Sequence, residues 1–317
     1  MTNHFISCDW GTSSFRLRLV ENDRILASIT SPSGIAATFD AWRHSHLPEG
    51  QRIRFYQTFL HEQIQLLQHK SPILVKDLPL FISGMASSSL GMLELPYQHL
   101  PAKATDLQTA YLEATSEFPH PTTIVSGFRT ENDVLRGEET LLLGALPETP
   151  ATRSLYILPG THSKHIYLED NTITGFQTFM TGEFFALLSK HSVLSASLAE
   201  PIYPAPEAFK NGLRTGHGSP LLHAAFLTRT NHLFNVYSKE ENHHFLSGLL
   251  IGAELRSLRD DAEITLVGNG TLLSNYEHAL QFFDYHHIRI VDATEALVKA
   301  HSALGGGPVR NYKPEKA

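Results

Sequence analysis

The sequence predicts an α/β protein built of two similar lobes, and three observations predict it. Runs of strand character alternate with amphipathic helical runs along the whole chain. At 317 residues, with 42% apolar and 18% charged residues, there is core material for one large domain or two ordinary ones. A weak internal repeat decides for two. Cys8-Asp9-Trp10-Gly11-Thr12-Ser13-Ser14-Phe15-Arg16-Leu17-Arg18-Leu19 lies over Ile157-Leu158-Pro159-Gly160-Thr161-His162-Ser163-Lys164-His165-Ile166-Tyr167-Leu168 at a constant offset of 149. Both copies read strand, Gly-Thr-x-Ser turn and alternating strand. An acidic, Asn-containing turn (Glu21-Asn22-Asp23; Glu169-Asp170-Asn171) and a third extended run follow in each, the order a duplicated domain shows.

The first strand is the apolar run 5–8; the second is the stretch where Phe15, Leu17 and Leu19 alternate with Arg16 and Arg18. Asn22-Asp23 turns the chain into a third strand over 24–30. Ile53, Phe55, Tyr56, Phe59, Leu60, Ile64 and Leu67 keep helical spacing and predict an amphipathic helix over 51–69. Residues 79–83 read as a strand ending at Gly84, and 93–101, with two prolines, as an irregular flap. A strand over 122–126 precedes a helix over 133–146, with Asn132 or Asp133 at its N-cap, two glutamates in its first turns and Pro147 closing it. Beyond the Pro/Thr linker 147–152, the run 155–158 opens a second block of strands. Helices are predicted over 182–190, 220–236, 243–259 and 274–283, and strands over 264–267 and 288–291. Gly305-Gly306-Gly307-Pro308 and the polar tail read as a frayed terminus.

Composition excludes several classes. The net charge of −7 comes without any Lys/Arg cluster, which removes the electrostatic footprint of a nucleic-acid binder. The longest apolar run, 245–255, is too short to cross a bilayer and contains Gly248, Gly252 and Glu254, so no membrane partner is expected. The opening MTNHFISCDW lacks a basic or apolar leader segment, and Cys8 is the only cysteine, which fits a reducing cytoplasm.

A glycine hairpin lets backbone amides approach a phosphate, while Thr and Ser hydroxyls donate to its oxygens. Read singly, Gly11 and Gly160 are turn glycines; read as a pair facing across a cleft, the two hairpins hold a triphosphate from both sides. Asp9, ending the first strand, would then hold the Mg²⁺ that accompanies those phosphates, through water. Gly268-Asn269-Gly270-Thr271-Leu272-Leu273 lacks the third glycine and the following βαβ half of a dinucleotide fingerprint, and no P-loop string occurs. The 19 histidines, including His243-His244 and His286-His287, read as surface or capping residues, because adjacent side chains diverge and no cysteine partners them.

Asp9-x-Gly11-Thr12-Ser13-x-x-Arg16 resembles the first phosphate motif of the sugar kinases of the actin, Hsp70 and hexokinase superfamily. Gly160-Thr161-His162-Ser163 resembles their second, and Gly268-Asn269-Gly270 their adenosine motif. Three longer strings, Asp133-Val134-Leu135-Arg136-Gly137-Glu138-Glu139-Thr140, Leu158-Pro159-Gly160-Thr161-His162-Ser163-Lys164 and Met180-Thr181-Gly182-Glu183, resemble the 2-dehydro-3-deoxygalactonokinase family over essentially the whole chain. The resemblance implies an actin-like ATPase (ribonuclease H-like) fold of duplicated domains, with ATP and Mg²⁺ in an interlobe cleft. It implies transfer of the ATP γ-phosphoryl group to the primary hydroxyl of 2-dehydro-3-deoxy-D-galactonate, giving the 6-phosphate in galactonate catabolism. In related sugar kinases the catalytic aspartate opens the helix just before the second phosphate hairpin. Asp133 takes that place, with Glu138 as competitor and simple helix capping as the plain alternative.

Gly84-Met85-Ala86-Ser87-Ser88-Ser89 follows a strand end, where open α/β sheets place ligands; Gly84, Met85, Ser87 and Ser88 are thus acceptor candidates, and a solvated turn is the alternative. The family pattern has a larger polar residue around Ser89-Leu90 and Trp at Met92, both missing here, so Arg136, Lys164 or Arg129 is left to grip the acid's carboxylate. The expected lobes are 1–131 and 132–317. The partner is a small-molecule sugar acid, with a homodimer admissible. A kinase for a related 2-keto-3-deoxy acid, a phosphohydrolase on the same scaffold and a nucleotide-gated binding protein are the competing readings.

Overall fold

Three antiparallel strands open the chain: β1 (His4–Trp10), β2 (Phe15–Glu21) and β3 (Arg24–Ser31), with Asp9 opposite Arg16 and Trp10 opposite Phe15. Asn22 and Asp23 turn β2 into β3 with φ of 47° and 65°, a left-handed pair that short polar side chains tolerate. The structure, a computed structural model, describes residues 4–149, 151–258 and 262–306. Within these, one compact unit takes 4–149, 171–175 and 293–306, and a second takes 151–170, 176–258 and 262–292.

In the first unit, α1 (Ile35–His44) and α2 (Arg52–Lys70) follow the meander, and α2 turns Tyr56, Leu60, Ile64 and Leu67 inward as its spacing predicts. These pack on a core centred on Trp10, whose ring lies 5.2 Å from Phe15, 5.2 Å from Phe59 and 5.7 Å from Tyr56. β4 (Leu80–Gly84) runs parallel to β1. The short strand β5 (Gln98–His99) lies in the predicted flap, and β6 (Ala102–Lys103) follows directly after it. β7 (Thr109–Leu112) is antiparallel to β8 (Thr122–Val125), itself parallel to β4, so the sheet order is β3-β2-β1-β4-β8-β7. β9 (Phe128–Arg129) and β10 (Val134–Leu135) complete a small sheet with β5.

The helix expected over 133–146 begins five residues late, as α3 (Glu138–Ala145). The Thr130 hydroxyl accepts the amides of Asn132 (3.3 Å) and Asp133 (3.0 Å), closing a turn that leads into β10. Gly137, at φ 109°, then occupies the N-cap position, so neither Asn132 nor Asp133 caps the helix.

The second unit repeats the plan with β11 (Arg153–Leu158), β12 (Ser163–Glu169) and β13 (Thr172–Phe179). Asp170 and Asn171 make its turn with φ of 47° and 62°, matching Asn22 and Asp23. Thr172 and Ile173, at the start of β13, pair with β6 and count with the first unit. α4 (Thr181–His191), α5 (Pro206–Gly218), α6 (Leu221–Leu233) and α7 (Lys239–Leu255) follow, α7 opening on a capping box between Ser238 and Glu241. α5 and α7 pack backbone to backbone: a Cβ on Gly216 would lie 1.8 Å from the Leu249 carbonyl, and one on Gly248 2.1 Å from that of Phe209. β14 (Glu263–Gly268) runs parallel to β11, α8 (Gly270–Phe282) follows, and β15 (Ile288–Asp292) is parallel to β14. The order β15-β14-β11-β12-β13 mirrors β3-β2-β1-β4-β8 with the meander and parallel strands in corresponding places, the actin-like duplication.

The last helix, α9 (Ala293–Gly306), returns to the first unit. A Cβ on Gly144 of α3 would lie 1.7 Å from the Ala296 carbonyl, and Val298 and Leu304 cover Phe5, Val20 and Phe81. Because α3 packs on α9, the first unit extends past the expected division at 131/132 and includes α3. Gly305 and Gly306 end α9, whereas Gly307-Pro308 and the tail after them lie outside the described residues.

Candidate active site

In the first unit the β1–β2 turn is closed by the Gly11 amide donating to Ser14 O at 2.9 Å, leaving Thr12 and Ser13 exposed. The opening of α1 packs on this turn: the Ile35 amide reaches Gly11 O (2.9 Å) and the Ala36 amide Thr12 O (3.1 Å). Gly34 makes that approach possible, since a Cβ there would lie 2.4 Å from Thr12 O. Gly11 itself is not demanded by the fold: its φ is not positive, and the nearest atom to a Cβ would be Ser14 Oγ at 3.3 Å. Asp9 pairs with Arg16 at 2.9 Å, both part-exposed, an ion pair worth at most about 1 kcal/mol and easily exchanged for another charge.

The second unit holds the same device. A Cβ on Gly182 would lie 2.5 Å from Gly160 O, and the Glu183 amide donates to Thr161 O at 3.0 Å, so the opening of α4 is pressed on the β11–β12 turn. Gly160 is likewise free of steric demand, with His162 O at 3.9 Å its nearest neighbour. Thr161 and His162 are exposed, and His162 Nε2 lies 2.5 Å from Glu183. Ser163 and Lys164 turn inward instead. The Ser163 hydroxyl is fully buried and donates to Glu254 (2.7 Å), and Lys164 Nζ donates to Thr178 (2.6 Å). Glu254 on α7 also accepts from Tyr276 (2.6 Å) and Thr181, and pairs with His165 (2.9 Å), which satisfies a carboxylate that is 3% exposed. The Tyr276 hydroxyl is pushed well above its ordinary value by burial and then by Glu254.

At the carboxyl ends of β14 and β15, Gly268 stands opposite Asp292, and the Asn269 amide group donates to the Asp292 carboxylate. Gly270 opens α8 at φ 64° with nothing near its Cβ position. Asn269 and Gly270 are exposed at the end of the parallel strands, where α/β sheets bind ligands.

Around the acceptor candidates, Gly84 ends β4 at φ 95°, with room for no side chain because Trp10 O would lie 2.6 Å from a Cβ. Met85 is half-buried, whereas the Ser88 hydroxyl donates to Met85 O (2.7 Å) and Ser87 is fully buried. Arg136 ties this loop down: its Nη1 donates to Ser87 O and Oγ, both at 2.5 Å, its Nη2 reaches Leu95 O (3.3 Å), and it stacks 4.0 Å over the Tyr97 ring. Ser87, Ser88 and Arg136 thus build the loop rather than offer free polar atoms, apart from the buried, unpartnered Arg136 Nε. Asp133 is half-buried in its turn, its Oδ1 accepting the Val134 amide at 2.7 Å. Glu138 and Glu139 are the first residues of α3, where the helix dipole favours negative charge. Glu138 is half-buried and accepts the Arg136 amide (3.0 Å). Glu139 is buried, accepts the Gly137 amide (2.7 Å), and is raised to about 7, by burial first and the Glu138 charge second.

Among the described residues no three His, Cys, Asp or Glu side chains gather as a metal-binding group. Asp9 at the end of β1, with the exposed Thr12 and Ser13 in the turn that follows, offers hard-oxygen donors of the kind that suit an ion keeping its waters and riding on phosphate oxygens, as Mg²⁺ does. Gly34 and Glu254 are residues that motif reading missed, and Gly182 and Glu139, although they lie in the strings that carry the resemblance, received no role from it. For the two glycines a signal existed, because the repeat, shifted by one residue to the offset of 148 that already relates Glu21-Asn22-Asp23 to Glu169-Asp170-Asn171, puts Ser33-Gly34-Ile35 over Thr181-Gly182-Glu183.

The sequence profile of the 2-keto-3-deoxy-galactonokinase family matches residues 9–303. The 2-dehydro-3-deoxygalactonokinase of Escherichia coli (strain K12) is 32% identical over 290 residues, 89% of this chain and 90% of that protein. The crystal structure of a candidate 2-dehydro-3-deoxygalactonokinase from Sinorhizobium meliloti is 30% identical and matches with a TM-score of 0.79, over 98% of this chain and 100% of that one. An activator of 2-hydroxyisocaproyl-CoA dehydratase from Clostridium difficile, solved with bound ADPNP, shares the fold at 14% identity and a TM-score of 0.50, over 95% and 94% of the two chains. Because the profile match spans both glycine turns, the opening of α3 and the Gly268 turn, the chain belongs to the 2-keto-3-deoxy-galactonokinase family.

Proposed function

We propose that this chain transfers the γ-phosphoryl group of ATP to the primary hydroxyl of 2-dehydro-3-deoxygalactonate. The observation that carries the reading is the doubled turn. Each unit has an exposed Gly-Thr bend that the fold does not require to be glycine, backed by a helix opening that a second glycine presses against it. Glycine without a structural reason, twice, is what an approaching phosphate needs. The amides and hydroxyls of Gly11, Thr12 and Ser13 and those of Gly160 and Thr161 take phosphate oxygens, with Arg16 and His162 at their margins. Gly268, Asn269 and Gly270 take the adenosine. Asp9 would hold Mg²⁺, which supplies charge neutralisation on the transferring group.

In the reaction the bond from the γ-phosphorus to its bridging oxygen breaks, one to the sugar-acid oxygen forms, and the hydroxyl proton passes to a carboxylate. The criterion that selected Asp133, a carboxylate opening the helix before the second turn, passes to Glu138 now that α3 begins there. Gly84 and Met85, at the end of β4, face the acceptor, and Arg136 shapes that wall. Glu138→Gln is expected to lower kcat by about 100-fold or more with ATP binding retained. Asp133→Asn, measured beside it, returns the role to Asp133 if it alone abolishes turnover.

An ADP-release assay with a panel of 2-keto-3-deoxy acids tests the whole reading. Release dependent on 2-dehydro-3-deoxygalactonate supports it, preference for another acid of the panel transfers it to a related kinase, and release without any acid makes the chain a phosphohydrolase. ATP binding without release makes it a nucleotide-gated protein.

A further inference from the structure

A continuous line of buried polar groups crosses the first unit from β1 to α3. Ser7 Oγ lies 2.9 Å from His301 Nδ1, and His301 Nε2 lies 2.8 Å from Ser83 Oγ. Ser83 Oγ donates to Thr140 Oγ1 at 2.9 Å, and Thr140 Oγ1 donates to Glu139 Oε1 at 3.2 Å. None of the five residues is more than 3% exposed. The direction of the line follows from proton count. The single hydroxyl proton of Ser83 goes to Thr140, so its oxygen accepts from His301 Nε2–H; Nδ1 then accepts from Ser7. Every donor therefore points towards the Glu139 carboxylate.

We propose that Glu139 is a positioning residue for phosphoryl transfer: held by the one-way donor line from Ser7 through His301, Ser83 and Thr140, its carboxylate clamps the Gly137 amide and sets where Glu138 stands. The clamp is local and tight. Gly137, at φ 109°, has the Gly84 Cα only 3.2 Å from its Cβ position, so a shift of this amide moves the opening of α3 against the end of β4. The inference rests on the reading of Glu138 as the proton acceptor.

The groups facing Glu139 are Glu138 on α3, which disfavours its charge, and Arg136, which favours it. Arg18 on β2 faces His301 and, after burial, holds the imidazole neutral, at about 3. A neutral His301 keeps one donor and one acceptor nitrogen, as the line requires. Donors aimed at a carboxylate favour its ionised form, so cutting the line raises the proton affinity of Glu139.

Thr140→Val removes the last donor with little change of volume, and His301→Leu removes the middle one. Both are expected to lower kcat about 10-fold at pH 7, leave KM for ATP within about twofold, and move the acidic limb of the kcat profile up by about one pH unit. His301→Gln, which can donate and accept, is expected to restore part of the loss. In parallel, ¹³C-carboxylate NMR, with Glu139 assigned by its loss in Glu139→Gln, reads the ionisation without turnover. The Glu139 midpoint is expected near 7 in the native chain and higher in Thr140→Val. An unmoved midpoint in folded Thr140→Val overturns the donor line. A moved midpoint with an unmoved kcat limb overturns the positioning role. A moved midpoint in a chain that phosphorylates no sugar acid supports the line and overturns the kinase reading instead. If His301→Leu fails to fold, Thr140→Val and Ser83→Ala carry the test alone.

Discussion

Glycines in this chain answer to two different masters, and their surroundings separate them. Gly84, Gly34 and Gly182 are held by the backbone, with carbonyl oxygens 2.4–2.6 Å from where a Cβ would sit. Gly11 and Gly160 have no such neighbour. Gly11→Val and Gly160→Val are therefore expected to leave the melting temperature within a few degrees while weakening ATP binding about 10-fold or more, as measured by titration calorimetry. Gly34→Val should do the reverse and unfold the α1–turn packing first. A motif names Gly11 and Gly160 from sequence, but the contrast with Gly84 is legible only in coordinates, since it depends on Trp10, distant in sequence. The same holds for Glu139. Two adjacent glutamates are visible in sequence, yet which one is buried is decided by α9, whose His301 lies 162 positions further on (139 to 301).

Among the elements, periodicity revealed α2, the two meanders and the parallel strands, because each buries one regular stripe or alternates across a sheet. It failed where packing uses absence of side chain. α5 carries Gly212, Gly216 and Gly218, a composition that reads as loop, yet Gly212 and Gly216 lie against the backbone of Phe245 and Leu249 in α7, and Gly248 and Gly252 of α7 against that of Phe209 and Leu213. Close backbone approach repays what glycine costs in helix propensity. Gly216→Ala is expected to destabilise by about 3 kcal/mol, since its methyl would overlap the Leu249 carbonyl, and urea unfolding measures it. Pro32 and Gly34 hide the start of α1 from periodicity, and composition places the start of α3 too early because Asn132-Asp133 has the composition of a cap while Thr130 uses it as a turn.

At the scale of the molecule, the duplication is the most legible feature, because turn chemistry as well as strand order recurs, down to the left-handed pairs Asn22-Asp23 and Asp170-Asn171. The buried charges of the first unit were not legible, and they set a pH signature. Glu139 has its folded pKa raised from 4.5 to about 7, so its contribution is fully present below 4.5 and is lost as pH rises through 7. His301 has its own lowered from 6.5 to about 3, so its contribution is fully present above 6.5 and is lost as pH falls towards 3. The two opposing slopes cancel between 4.5 and 6.5, which predicts a plateau there. Glu139→Gln removes the falling slope, and its stability relative to the native chain should rise by up to about 3 kcal/mol from pH 4.5 to 7.5, read by thermal melts across that range.

The return of α9 to the first unit also orders events in time. On the ribosome, β1 and β4 emerge more than 200 residues before the helix that covers Phe5, Val20 and Phe81 and meets the hydroxyls of Ser7 and Ser83. The first unit of the nascent polypeptide must therefore wait with an uncovered greasy face until α9 has been made, and chains stalled before residue 293 are the ones that chaperones and proteases should meet most often.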